Sequence, residues 1–108
     1  MVQRYGSVIQ LRPEAEAEYR RLHANVWPDV LARLHASNIR NYTIFLRDGL
    51  LFSYLEYVGV DFDADMAAVA ADPATQQWWT HTDPCQQPVP TARADEHWAP
   101  LEEVFHVD

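Results

Sequence analysis

Tyr19 and His23 stand four residues apart in the segment Glu-Tyr-Arg-Arg-Leu-His-Ala-Asn-Val-Trp-Pro, residues 18–28. On a helix, side chains at i and i+4 share a face, one turn apart. The pair therefore aims a phenol and an imidazole at one volume, and an imidazole gives or takes a proton near neutral pH. The alternative is an ordinary half-buried helical histidine. Downstream, Trp78-Trp79 supplies flat aromatic surface of the kind that holds a sugar. Adjacent residues on a helix point about 100° apart. One indole can then belong to a core while the other stays free for a ligand or an interface.

Two further positions come from the strongest β signal in the chain. Tyr42 is either a core tyrosine whose hydroxyl reaches an edge or a ligand contact. Asn41 and Glu56 form either a polar site or a cross-strand contact. Of the remaining histidines, His35 is expected to face solvent, while His81, His97 and His106 could reach a site only through tertiary folding. Metal-ligand spacing is absent: there is no HExxH and no cysteine pair, and His81 and Cys85 make a single pair broken by a proline. Cys85 has no activating context for nucleophilic chemistry. Gly6, Gly49 and Gly59 are isolated, so no glycine-rich phosphate loop can form and no nucleotide cofactor is expected.

The elements that must position these residues can be read from periodicity. Residues 2–11 alternate and are rich in β-formers, which predicts a strand. Pro13 suits a first helical turn, and Glu14, Glu16 and Glu18 suit the positive end of a helix dipole. Pro28 disfavours helical geometry at Trp27, which predicts a break before a second helical stretch carrying Val30, Leu31 and Leu34 and ending near Ser37-Asn38. Residues 39–47 and 50–58 flank Asp48-Gly49, a dipeptide suited to a two-residue type I′ turn. That turn pairs Arg47 with Leu50 and Phe45 with Phe52, and, continued without interruption, sets Tyr42 opposite Leu55 and Asn41 opposite Glu56. Ile44, Leu46, Leu51 and Leu55 then share one face, and Phe45, Phe52 and Tyr54 the other. Both faces are apolar, so a partner subunit is expected on the second.

A helix is predicted near 62–71, capped by Asp61 or Asp63, with Met66, Ala67 and Ala70 inward. Pro73 opens a further helical turn leading to Trp78-Trp79. Four of the seven prolines lie between Pro84 and Pro100, which predicts an extended arm over residues 84–100. A short strand is expected over residues 101–107. The order β-α-β-β-α-β is that of a ferredoxin-like α+β sandwich.

The chain has 108 residues, enough for a single domain over 1–108. A net charge of −8 repels phosphate backbones and anionic membranes, so neither nucleic acid nor a membrane is an expected partner, and a small neutral substrate is favoured. One cysteine permits no intramolecular disulfide and suits a reducing compartment. No stretch approaches the roughly 18 apolar residues of a membrane span, and no signal peptide is evident. These features lead to the expectation of a cytoplasmic protein.

Together the segments Glu18-Tyr19-x3-His23-x3-Trp27-Pro28, Asn41-Tyr42-x-Ile44, Leu50-Leu51-Phe52, Trp78-Trp79 and Leu101-x-Glu103-Val104-Phe105 resemble, in that order, the L-rhamnose mutarotase family. The resemblance implies a ferredoxin-like fold in a dimeric α/β-barrel type assembly. It implies His23 as proton donor, and Tyr19, Tyr42, Trp78 and Trp79 as sugar contacts. The departures are Leu22, where members often have arginine, the run Thr80-His81-Thr82 after the tryptophans, and a short turn at Asp48-Gly49. The implied reaction interconverts the α and β anomers of L-rhamnose by acid/base-catalysed ring opening and closure. It inverts C1 of one molecule, so its chemistry calls for no metal or redox cofactor. Two proton-handling groups are needed, the second being water, a carboxylate such as Glu56, or a tyrosine. The rival expectations are a cofactor-independent small monooxygenase on the same fold and a non-catalytic sugar-binding module.

Overall fold

A computed structural model describes residues 2–108, so Met1, where the single-domain expectation begins, lies outside it. Strand β1, Gln3–Leu11, leads through a 3-10 turn at Pro13–Ala15 into α1, Glu16–His23. Trp27 is extended, with φ −62° and ψ 135°, because the Pro28 ring excludes helical geometry on the residue before it. Pro28 then opens α2, Pro28–Ala36. Strands β2, Ile39–Arg47, and β3, Leu50–Tyr57, follow, joined at Asp48-Gly49. Both turn residues have positive φ, 51° and 75°, as a type I′ turn requires.

Helix α3, Phe62–Ala71, is capped by Asp61, whose carboxylate accepts from the Ala64 amide at 3.1 Å. Helix α4, Pro73–Thr82, is a full helix rather than a single turn, capped by Asp72 accepting from the Thr75 amide at 2.9 Å. A 3-10 turn at Asp83–Cys85 leads to the short strands β4, Gln86–Gln87, and β5, Ala99–Leu101. Among the described residues no helix is long and apolar enough to cross a membrane.

The sheet is antiparallel in the order β2-β3-β1-β4, with β5 also pairing with β1. This is the predicted ferredoxin-like α+β arrangement. The Pro-rich arm is fastened to the free edge of β1 at both ends: Gln86 and Gln87 pair with Leu11 and Gln10, and Ala99–Leu101 pair with Val8–Gly6. The helices cover one face of the sheet, where Ile9, Leu11 and Leu51 pack with Tyr19 of α1 and with Cys85. A second cluster, Leu22, Val30 and Trp78, locks α1, α2 and α4 to one another.

Three details depart from the sequence expectations. The hairpin register holds from Arg47–Leu50 to Thr43–Tyr54, but then shifts, so that Arg40 rather than Asn41 faces Glu56, and Asn41-Tyr42 together oppose Leu55. Asn41 takes up the extra residue with φ 50°. The bulge restores Ile39 to the helix-covered face, which uninterrupted alternation would have denied it. In α3 the inward residues are Phe62, Met66 and Val69, spaced i, i+4, i+7, while Ala67 and Ala70 are exposed. The closing strand ends at Leu101: residues 102–108 add no rung to the sheet and are exposed, Phe105 by 80%, with Glu103 held to Arg4 of β1 by an ion pair at 2.8 Å. Among the described residues no helix covers the second sheet face. Val8, Phe52 and Phe45 form a row across β1, β3 and β2 there, and Phe45 is 61% exposed.

Candidate active site

The helix-covered face of the sheet, α1, α4 and the arm enclose a cavity of about 350 Å³. That is within the usual range for small-molecule sites. Tyr19, His23, Tyr42, Trp78 and Trp79 all line it. The five residues singled out in the sequence therefore meet in one place.

α1 puts Tyr19 and His23 in contact, their rings stacked at 4.2 Å between centroids and 28° between planes. His23 Nδ1 lies 2.8 Å from the backbone oxygen of Tyr19. A carbonyl oxygen only accepts, so Nδ1 carries a proton and donates it. Nε2 is then the nitrogen available for exchange: an acceptor in the neutral ring, a donor in the imidazolium. Trp78 meets the His23 ring edge-on at 5.5 Å and Trp27 at 5.2 Å, which fixes the imidazole from behind.

The two tryptophans divide as their helical spacing requires. Trp78 is 6% exposed and belongs to the core, while Trp79 is 37% exposed and turns a face toward the cavity. Tyr42 enters from the bulge in β2 and keeps 44% of its surface exposed. Ile44 and Trp98 supply apolar wall. A larger neighbouring cavity of about 460 Å³ shares the His23, Tyr42 and tryptophan wall and continues between α2, α3 and the sheet, lined by Val30, Leu34, Ile39 and Val69.

Four polar residues that the sequence did not single out as a group also reach the cavity: Thr82, Asp83, Gln86 and His97. Gln86 is buried at 6% exposure. Its Nε2 lies 3.2 Å from the Tyr19 hydroxyl and its Oε1 2.9 Å from His97 Nε2. Asp83 Oδ1 is 3.6 Å from the same nitrogen. Burial pushes the Tyr19 phenol well above its ordinary pKa, against a smaller opposing effect of the Gln86 hydrogen bond, so the phenol is neutral near pH 7. Gln86 and His97 sit on the Pro-rich arm. Nothing local in the arm marks them, since β4 pairs with β1 across more than seventy residues.

The other candidates fall elsewhere. His35 is exposed, as expected. His81 packs edge-on against Trp27 at 5.5 Å, and His106 bonds Asp108 in the exposed tail. Glu56 accepts from Asn41 at 2.8 Å and from the Tyr54 hydroxyl at 2.8 Å, outside the cavity lining. Those two bonds hold its carboxyl below the usual range. Asn41 and Glu56 are thus a cross-strand contact rather than part of this cavity. Among the described residues no cluster of three or more His, Cys, Asp or Glu could hold a metal ion.

Comparison with known proteins locates this arrangement. A family model described as L-rhamnose mutarotase matches residues 4–107. The L-rhamnose mutarotase of Opitutus terrae is 35% identical, over 97% of this chain and 98% of its own. In shape, the chain is similar to a crystal structure of an L-rhamnose mutarotase from Formosa agariphila, with a TM-score of 0.77 at 22% identity, covering 98% of this chain and 99% of that one. It is also similar to the tetracenomycin F2 cyclase of Streptomyces glaucescens, a type-II polyketide cyclase, with a TM-score of 0.71 at 13% identity over 98% of this chain and 99% of that one. The fold is therefore shared with a protein named for different chemistry, and the sequence match is what discriminates. On a match that spans nearly every residue, the chain belongs to the L-rhamnose mutarotase family.

Proposed function

We propose that this protein is an isomerase, an L-rhamnose mutarotase that interconverts the α and β anomers of the free sugar. The observation that carries the reading is His23, with Nδ1 committed to the Tyr19 carbonyl at 2.8 Å and its ring in the wall of a cavity built for a small neutral ligand. In the imidazolium form, His23 Nε2 delivers a proton to the pyranose ring oxygen as the C1–O5 bond breaks. The hydrogen of the anomeric hydroxyl leaves to a base, for which solvent entering the cavity suffices, and C1 becomes an aldehyde carbon. Rotation about C1–C2 presents the other carbonyl face. O5 then attacks C1 and returns its proton to His23 while the new anomeric hydroxyl is protonated. Atoms and protons balance over the cycle, and no electrons are exchanged.

Tyr19, Tyr42 and Trp79 bind the sugar in this scheme, with the exposed indole against its C–H face and Trp78 holding His23 in place from the core. The apolar wall of Ile44 and Trp98 favours a methyl at C6 over a hydroxymethyl, a preference worth at most roughly 1–3 kcal/mol. The protein works as a homodimer. The uncovered row Val8-Phe52-Phe45, together with the exposed tail residues Val104 and Phe105, offers the apolar surface a second copy would bury. Its compartment is the cytoplasm, a reducing setting that suits a chain whose one thiol is buried.

The test is NMR exchange between the anomeric protons of L-rhamnose, with wild type and His23→Ala. Wild type accelerates exchange and the variant does not. If wild type gives no acceleration the mutarotase reading is wrong. If the variant keeps it, His23 is not the proton donor.

A further inference from the structure

We infer that Asp83, His97 and Gln86 form a relay of hydrogen-bond polarity that makes the Tyr19 hydroxyl a donor toward the sugar. The proposal rests on the mutarotase reading for its catalytic consequence, but its starting point is geometric. A glutamine side chain buried between a histidine and a tyrosine can lie either way round, and each way dictates a different proton arrangement. In one, the amide oxygen accepts from His97 and the amide nitrogen donates to Tyr19. In the other, the amide nitrogen donates to His97 and the tyrosine hydroxyl donates to the amide oxygen, leaving no proton for a ligand.

Asp83 decides between them. Its Oδ1 lies 3.6 Å from His97 Nε2, the nitrogen that faces Gln86 at 2.9 Å. A carboxylate beside that nitrogen favours a hydrogen on it and disfavours a lone pair, whether the ring is neutral or charged. With a hydrogen on Nε2, its partner must be the amide oxygen. The amide nitrogen then faces Tyr19 at 3.2 Å and donates to the phenol oxygen. Tyr19 accepts that bond, so its own hydrogen is free and turns toward the cavity. Burial keeps the phenol protonated, so the hydrogen stays there to be donated.

Gln86, His97 and Asp83 are thus positioning residues that act through Tyr19. The relay meets the phenol at its oxygen while His23 stacks on its ring, so one ring carries the relay at its oxygen and the proton donor at its face. A donor there suits an oxygen lone pair on the sugar, and it persists when His23 has given up its own proton.

The test uses Gln86→Glu, nearly the same shape but a carboxylate that accepts from both neighbours, and so draws the Tyr19 hydrogen away from the cavity. Anomer exchange should fall roughly a hundredfold in kcat, on the scale of losing one catalytic hydrogen-bond donor. The same substitution in a Tyr19→Phe background should cost nothing more. His97→Leu should also lose rate, and His97→Gln, which keeps an N–H where Nε2 stands, should restore most of that loss. Unchanged exchange in Gln86→Glu, or an additive further loss in the Tyr19→Phe background, overturns the relay. Should Gln86→Glu not fold, the His97→Leu and His97→Gln pair carries the same decision. The ζ-carbon chemical shift of Tyr19, read by NMR of tyrosine-labelled protein, should move between wild type and His97→Leu. If wild type fails to accelerate exchange, the mutarotase reading falls while this shift still judges the relay, and an unmoved shift sinks it.

Discussion

Replacing His23 by asparagine separates chemistry from stability at one position. The carboxamide nitrogen of asparagine occupies nearly the place of Nδ1, so it keeps the 2.8 Å bond to the Tyr19 carbonyl, while the distal nitrogen disappears. What the fold loses is the imidazole ring, stacked on Tyr19 at 4.2 Å and edge-on to Trp78 at 5.5 Å. Aromatic pairs contribute about 0.5–1.5 kcal/mol each beyond burial, so the variant should lose about 1–3 kcal/mol of stability. A typical domain stability of roughly 5–15 kcal/mol leaves it folded. Removing a general acid–base group costs about 10²–10⁴-fold in rate, or about 2.7–5.4 kcal/mol at 1.36 kcal/mol per tenfold. Anomer exchange should therefore collapse in a protein whose circular dichroism and melting cooperativity are retained. Near-wild-type exchange in folded His23→Asn would refute the assignment of Nε2 as the proton-carrying atom.

Trp78→Ala should cost about 3–5 kcal/mol, read by denaturant unfolding, because Trp78 is 6% exposed in the Leu22–Val30 cluster. Trp79→Ala should instead raise KM for rhamnose with little change in midpoint, and equal effects of the two substitutions would contradict the division between core and cavity. Asp65 accepts from the Tyr57 hydroxyl and from Asn38 at 3.0 Å, and these bonds lower its pKa below the ordinary 3.8. A depressed carboxylate stabilises the fold fully above its unfolded pKa and loses that contribution as pH falls through the lower folded value. The melting temperature should therefore drop below about pH 4, and less so in Asp65→Asn. An identical acid profile for both proteins would remove Asp65 from the account. Phe45→Glu places a charge in the uncovered sheet row and should give a monomer by sedimentation equilibrium, whereas an intact dimer would show that the interface lies elsewhere.

Local sequence determined what depends on local physics. Pro28 broke the helix at Trp27, Asp48-Gly49 set the hairpin turn, and helical spacing alone placed Tyr19 over His23 and parted Trp78 from Trp79. The ferredoxin-like class also followed from the element order, because few topologies accommodate β-α-β-β-α-β, while the strand order β2-β3-β1-β4 came from the structure. The resemblance of the ordered motifs implied that Tyr42 and the tryptophans share a site with His23, and all of them line one cavity.

Tertiary structure decided what has no local signature. The bulge at Asn41-Tyr42 needs the whole sheet to show that Ile39 must face the helices, since a two-residue turn predicts an unbroken register. Alanines in α3 read as apolar, yet only the side reached by Phe62, Met66 and Val69 found a partner surface. The tail residues Val104, Phe105 and Val107 are apolar enough to read as a strand, but backbone pairing with β1 stops at Leu101, beyond which Glu103 is tied to Arg4 by a side-chain ion pair at 2.8 Å. Above all, Gln86 and His97 are unremarkable residues in a proline-rich arm. They reach Tyr19 because pairing of Gln86 with Leu11 bends that arm across the end of the cavity, and a contact across 67 residues leaves no periodicity in the chain.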